Sequence, residues 1–142
     1  MGADFAHHGG EYKPSPFLPI PASITPNPMK KMDYASVCPG HLFESLNISR
    51  GRKKDVPFFD VARGEGAIAL NPDEVEITIK KVQHFDVRQD IFVIFAHDGS
   101  LKGIVDLFPK SANNWQEKGW ARDGKWAFLK DFGEALELQS TT

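Results

Sequence analysis

Cysteine is nearly absent from this sequence of 142 residues: Cys38 stands alone, so no intramolecular disulfide can form. A lone thiol is typical of a reducing compartment, and we expect a cytoplasmic protein. Long apolar runs are also missing, since none approaches the roughly 18 residues that a membrane-spanning helix needs. The first residues have neither the basic nor the apolar segment of a signal peptide, so we expect neither secretion nor a membrane anchor.

An excess of charge of either sign is lacking too. Lysine and arginine total 17 and aspartate and glutamate total 19, which gives a formal net charge of −2. This balance does not favour a nucleic-acid partner or a membrane surface. The short basic cluster at 50–54 is typical of a solvated loop rather than a phosphate-binding patch. The length and the ordinary apolar content favour one domain over residues 1–142.

Proline, by contrast, is concentrated in one part of the chain: eight of the ten prolines fall between residues 14 and 57. Proline fixes φ and removes a hydrogen-bond donor, so long helices and strands are not expected there. Apolar residues are interspersed among the prolines, which is unusual for a disordered linker. We therefore predict an ordered Pro-rich excursion over residues 9–60, with one short helical turn at His41–Leu46.

Residues 61–142 have more regular patterns and are predicted to form a βα-rich C-terminal part. Asn71 is a typical N-cap, and Pro72 a typical first residue, of a helix. Two further helices are predicted, one over 101–107 and one over 126–138. Four apolar residues follow the cap at helical spacing, the last less closely: Val75, Ile79, Val82 and Phe85.

Six consecutive apolar residues, Ile91–Ala96, predict a strand that is buried on both faces of an α/β sheet. His97 and Asp98 follow directly, at the carboxyl end of that strand. Ligands bind at this end of the strands in open α/β sheets. The sequence therefore predicts a functional site here.

A second group of metal-binding residue types, Asp4 with His7 and His8, lies near the start of the sequence. Imidazole and carboxylate are ligands of zinc, iron and manganese, so the two groups together indicate a metal site. The alternative is structural, with His97 satisfied by backbone groups and Asp98 forming a turn.

Other residues near these groups have open interpretations. Tyr12 and Lys13 offer a polarising hydroxyl and an oxyanion contact, or they are ordinary loop residues. His84 lies on the predicted helix and is expected to be exposed.

Three segments, in this order along the chain, resemble the C-terminal half of metallo-β-lactamase-fold hydrolases, of the kind abundant in filamentous fungi and related to lactonases. They are GADFAHHGGEYKPS at 2–15, VIFAHD at 93–98, and VDLFP at 105–109 followed by ANNWQEKGW at 112–120. The resemblance implies an α/β fold, namely the C-terminal half of an αββα sandwich. A small mixed sheet would carry helices on one face, and the long Pro-rich loop would cover the mouth of the site.

The resemblance also implies roles for individual residues. Asp4 matches the aspartate that bridges two metal ions, and His97 matches the last histidine ligand. His7, His8 and Tyr12 match positions beside the site and are predicted to contact substrate, while no residue is assigned as catalytic. In a complete member, the zinc, iron or manganese ions activate a water that attacks a lactone, lactam, ester or thioester carbonyl.

The sequence departs from the family pattern in one respect, because the H-x-H-x-D-H motif that supplies most ligands of the first metal is absent. Two protein ligands leave zinc largely open, whereas catalytic sites use at least three. We therefore expect metal binding by this chain alone to be weak or absent, and we expect no hydrolysis by it alone.

Three hypotheses follow. The chain is a portion of a longer hydrolase that acts on a small acyl substrate, or a non-catalytic binding or pseudo-enzyme module derived from that fold, or an unrelated α/β domain. In the first two, an exposed sheet edge and apolar face would favour self-association or complementation by an N-terminal half.

Overall fold

The computed structural model describes residues 4–29 and 37–141. Residues 30–36 of the predicted Pro-rich excursion lie outside the described residues. The chain divides into two compact units. The first unit contains residues 4–19 and 55–98, and the second contains the described residues of 20–54 and 99–141.

The elements of the described residues are short, except for one helix. The strands are β1 (Ser23–Ile24) and β2 (Cys38–Pro39), and the α-helices are α1 (His41–Glu44), α2 (Pro72–Asp86), α3 (Trp120–Gly124) and α4 (Gly133–Ser140). Single turns or short stretches of 3-10 helix lie at Gly9–Glu11, Ile48–Arg50, Gly99–Leu101 and Ala127–Phe132. None of the helices in the described part of the chain is both long enough and apolar enough to cross a membrane.

Helix α2 of the first unit begins where the sequence predicts. The Asn71 side chain accepts a hydrogen bond from the Glu74 backbone N–H at 3.3 Å, and Pro72 occupies the first turn. The cap satisfies a backbone donor that the helix itself leaves unpaired. The predicted helix and its cap are confirmed.

The core of the first unit forms around three aromatic rings and one face of α2. The ring of Phe5 lies edge-on to Tyr12, with centroids 5.3 Å apart, and to Phe95, with centroids 5.7 Å apart. Ile79 is buried in the same cluster, and Val75 and Val82 pack against it. Edge-to-face rings stabilise such a cluster beyond the area that they bury. The core therefore joins the segment that begins at residue 4, helix α2 and the apolar run before His97.

The strand predicted over 91–96 is wrong for this structure. Those residues form no strand, and only Phe95 among them is buried. A strand is defined by hydrogen bonds to a neighbouring strand, and an apolar run alone supplies no such neighbour. The only sheet in the described residues pairs β1 with β2 in antiparallel register, with Ser23 opposite Pro39. The predicted mixed sheet with helices on one face is thus not present in the described part of the chain.

The second unit confirms the short helical turn at His41, as helix α1. Just before this helix, Gly40 lies so close to the backbone at Pro21 that a Cβ on Gly40 would be 1.8 Å from the Pro21 carbonyl oxygen. The Gly40 N–H donates to the Ala22 carbonyl at 2.9 Å. Glycine is therefore required at this position, since no side chain fits between the two segments.

Two other helix predictions in this unit need correction. A 3-10 stretch at Ala127–Phe132 precedes α4, so the helix predicted over 126–138 is divided into two elements. The helix predicted over 101–107 is wrong, because a single turn at Gly99–Leu101 is all that forms. Gly103 has a φ of +86°, which a right-handed helix cannot contain.

Candidate metal and substrate site

Asp4 and His97 lie side by side in the first unit. The Asp4 Oδ1 and His97 Nε2 atoms are 3.2 Å apart, and each side chain is 67% exposed. The buried rings of Phe5 and Phe95, one and two residues away in sequence, contact each other beneath them. The contact between the two phenylalanine rings thus brings Asp4 and His97 together, although they are far apart in the chain.

His97 has an unusual backbone conformation, with a φ of +67°. The left-handed region raises the energy of an L-residue by about 1–2 kcal/mol, although histidine tolerates it better than most residues. A turn at 96–97 follows Phe95, which is a core residue. Such conformations often occur at functional sites, where the surroundings enforce them.

The pair fits two ligands of a zinc ion. Oxygen and nitrogen ligands lie about 2.0–2.2 Å from zinc, so two of them at a tetrahedral angle are separated by about 3.3 Å. The observed separation of 3.2 Å is compatible with that value, and it is equally the distance of a direct ion pair or hydrogen bond between the two side chains. Among the described residues, however, no group of three or more histidine, cysteine, aspartate or glutamate side chains is placed to hold an ion. Asp4 and His97 are thus two neighbouring side chains of metal-binding type, and their role as ligands stays a prediction.

His7 lies next to the pair. Its ring stacks on that of His97 with centroids 5.8 Å apart and an angle of 12° between the planes. Its backbone N–H donates to a Glu11 carboxylate oxygen at 3.0 Å. The structure thus brings together three predicted site residues, Asp4, His7 and His97.

His8 has a structural role instead. Its Nδ1 accepts a hydrogen bond from the Gly10 N–H at 2.9 Å, which caps the turn at Gly9–Glu11. Its ring lies edge-on to Phe59, with centroids 5.2 Å apart. His8 is absent from the residues that line the neighbouring cleft, and its predicted substrate contact stays a prediction.

Tyr12 is a core residue and is not among the residues that line the cleft, and its predicted substrate contact stays a prediction. Its side chain is 1% exposed. Burial raises the pKa of its phenol well above the usual value, and the nearby carboxylates of Asp86 and Asp98 raise it further. Its carbonyl accepts a hydrogen bond from the Gln83 side-chain amide at 3.1 Å. The hydroxyl is therefore neutral at physiological pH and enclosed by the core.

A buried ion pair beside Tyr12 was not predicted from the sequence. The Lys13 ammonium lies 3.7 Å from Asp86 and 4.8 Å from the centre of the Tyr12 ring. A sequence signal existed, since Gln83 and Asp86 share the helical spacing of Ile79 and are buried with it. Polar residues on the apolar face of a helix indicate buried partners.

Asp4, His7 and His97 open onto a cleft of about 640 Å³ in the first unit. Its other walls come from Glu11, from the segment 59–69 and from Val75 of helix α2. This volume lies within the range of about 300–1,000 Å³ that is usual for ligand sites. Residues 59 and 60 belong to the Pro-rich excursion that was expected at the mouth of the site, whereas the sequence patterns did not identify residues 61–69 as part of a site.

Curated relatives of this chain include fungal proteins named gamma-lactamase and metallo-hydrolase, and others named cytochrome P450 monooxygenase. The first two names confirm the predicted resemblance to a C-terminal part of a metallo-hydrolase. Gamma-lactamase FDB1 of Fusarium pseudograminearum (strain CS3096) is 42% identical over 137 residues, which cover 93% of this chain and 31% of that protein. Metallo-hydrolase mfmC of Annulohypoxylon moriforme is 35% identical over 136 residues, which cover 96% of this chain and 33% of that protein.

Gamma-lactamase MBL2 of Gibberella moniliformis (strain M3125 / FGSC 7600) is 47% identical over 60 residues, which cover 42% of this chain and 23% of that protein. The chain thus spans about a third of the length of the first two relatives. No protein-family model and no solved structure matches it.

Proposed function

We propose that this chain supplies part of the metal centre of a hydrolase that acts on lactones, lactams or (thio)esters. Asp4 would supply a carboxylate ligand and His97 an imidazole ligand. The observation that carries the proposal is the 3.2 Å separation of Asp4 Oδ1 and His97 Nε2 at the mouth of a cleft. The similarity to a gamma-lactamase and a metallo-hydrolase supports the reaction class.

The residues of this chain have distinct tasks in that centre. Zinc, or iron or manganese in its place, would activate a water and stabilise the developing oxyanion. Asp4 supplies a charged oxygen and His97 a ring nitrogen, each held by a buried phenylalanine nearby in sequence. The stacked ring of His7 limits the rotation of the His97 imidazole. The apolar walls of the cleft exclude water from the bound acyl group.

We further propose that the described residues are inactive without additional ligands. Two donors are fewer than the three that catalytic zinc sites use. The missing donors would come from the rest of a longer hydrolase of which this chain is a portion, from a complementary N-terminal half or from a second copy of the chain. A non-catalytic binding module is the second candidate, because the first unit forms its cleft without assembling a third ligand among its described residues.

Zinc affinity tests this proposal directly. We expect the full chain to bind zinc weakly, and we expect His97→Ala and Asp4→Ala each to abolish binding in a competition assay with a chromophoric indicator. His41→Ala is the matched control, since His41 is exposed in the second unit and lies outside the cleft. Equal zinc affinity of the wild type and His97→Ala would overturn the ligand assignment and favour the binding module.

A further inference from the structure

The Glu11 carboxylate closes a short loop of the chain beside the Asp4–His97 pair. One of its oxygens accepts the hydrogen bond from the His7 backbone N–H, at 3.0 Å. Glu11, His7 and His97 all line the cleft of the first unit. A charged acceptor makes a stronger hydrogen bond than a neutral one, so this bond favours a single position of the His7 backbone.

The turn that carries Glu11 is itself attached to the surrounding structure. The Gly10 carbonyl accepts a hydrogen bond from the Phe59 N–H at 3.0 Å, and the Gly9 carbonyl accepts one from the Lys13 N–H at 3.0 Å. Lys13 is buried, so the second bond joins the turn to the core. The Glu11 carboxylate therefore extends from a backbone whose position is fixed on both sides.

His7 connects this turn to His97. The two imidazole rings lie nearly parallel, with an angle of 12° between their planes and 5.8 Å between their centroids. The His97 side chain is 67% exposed, so the core restricts its rotation little, and the ring of His7 is the neighbour that does so. A side chain that is already held in one rotamer loses less conformational entropy when it binds a ligand.

We infer that Glu11 and His7 are positioning residues for His97. Glu11 fixes the backbone of His7, and the ring of His7 holds the His97 imidazole with its Nε2 atom towards Asp4. The consequence for a metal rests on the proposed function, whereas the arrangement of the rings requires no metal. Residues that orient a metal ligand contribute to metal affinity without touching the metal.

NMR of the metal-free full chain tests the arrangement of the rings, because each aromatic ring shifts the proton signals of a ring stacked on it. We expect Glu11→Ala and His7→Ala to move the His97 ring-proton signals towards those of an isolated histidine. Glu11→Gln should leave them unchanged, since its side-chain carbonyl still accepts the His7 N–H. Glu65→Ala is the matched control, because Glu65 is exposed in the same unit and does not line the cleft.

Zinc affinity in the indicator assay tests the consequence for the metal. We expect Glu11→Ala and His7→Ala each to weaken zinc binding by about two- to tenfold. Glu11→Gln and His7→Phe should retain the wild-type affinity, because the first keeps the acceptor and the second keeps a flat ring. Equal losses in Glu11→Gln and Glu11→Ala would assign the effect to charge. Equal losses in His7→Phe and His7→Ala would make His7 a ligand. Either result would overturn the inference.

The inference and the proposed function can fail separately. Unchanged His97 ring signals in Glu11→Ala would overturn the positioning role, and loss of zinc binding in His97→Ala would still support the metal site. The opposite combination is His97 signals that depend on Glu11 in a chain whose zinc affinity does not depend on His97. That result would support the positioning of His97 and reject the proposed metal site alone.

Discussion

The Lys13 ammonium lies 3.7 Å from the Asp86 carboxylate, and the two side chains are only 7% and 6% exposed. The pair connects the segment that contains Asp4 and His7 to the last turn of helix α2. Gln83 adds a second connection through its hydrogen bond to the Tyr12 carbonyl. The position of the candidate site relative to α2 thus depends on polar contacts inside the core.

Removal of one member of this pair should destabilise the fold strongly. We expect Asp86→Ala to lower the free energy of unfolding by about 3 kcal/mol or more, because a buried charge loses its partner. Urea denaturation followed by circular dichroism measures the effect. Asp90→Ala is the matched control, since Asp90 pairs with Arg88 where both side chains are more than half exposed. Equal stabilities of the two variants would show that the Lys13–Asp86 pair contributes nothing.

The buried phenol of Tyr12 should make stability depend on alkaline pH. Burial raises its pKa in the folded state, so the folded protein holds this proton more tightly than the unfolded chain. The resulting stability is complete below the unfolded pKa of about 10 and is lost as the pH rises towards the folded value. We expect the free energy of unfolding to fall less steeply above that pH in Tyr12→Phe than in the wild type. If the free energy of unfolding fell equally steeply with pH in both proteins, the result would contradict the burial of the Tyr12 hydroxyl.

Gly40 and Gly99 provide a matched pair for the second unit. A Cβ at Gly40 would meet the Pro21 carbonyl oxygen at 1.8 Å, whereas at Gly99 it would find no atom within 4 Å. We expect Gly40→Ala to lower the free energy of unfolding by about 1–3 kcal/mol, in the range of overpacked sites. Gly99→Ala should have little effect or stabilise slightly through the unfolded chain. A Gly40→Ala variant as stable as Gly99→Ala would argue against the close contact of these segments.

Local signals in the sequence predicted local structure well. The cap at Asn71 and the apolar spacing along α2 involve residues within a few positions of one another. Neighbouring residues in the sequence are therefore enough to determine where this helix forms. The exposed position of His84 follows from the same spacing and is confirmed. The run at 91–96 is different, since a strand requires a partner that its own residues do not specify. The helix predicted over 101–107 rested on a cap at Ser100 and a stop at Pro109, and these signals at its ends did not reveal the positive φ of Gly103 inside it.

The candidate site was predictable only in part for a similar reason. Residue type and the resemblance indicated Asp4 and His97, and the structure places them 3.2 Å apart, while their metal-binding role stays a prediction. The same resemblance matched His8 and Tyr12 to positions beside the site. Burial and capping are decided by the packing of the whole unit, which assigns these two residues to the core and the turn.

Substitutions of His97 can separate an effect on folding stability from an effect on zinc binding, because its backbone conformation constrains which residues fit. At a φ of +67°, asparagine is tolerated nearly as well as histidine, whereas a β-branched residue is strained. We expect His97→Asn to change the free energy of unfolding by less than about 0.5 kcal/mol and His97→Val to lower it by about 1–2 kcal/mol. Both variants should lose zinc binding in the indicator assay, because neither carries an imidazole. If His97→Asn retained zinc affinity, the ring nitrogen would not be a ligand. If His97→Val were as stable as the wild type, the left-handed turn would not be held by its surroundings.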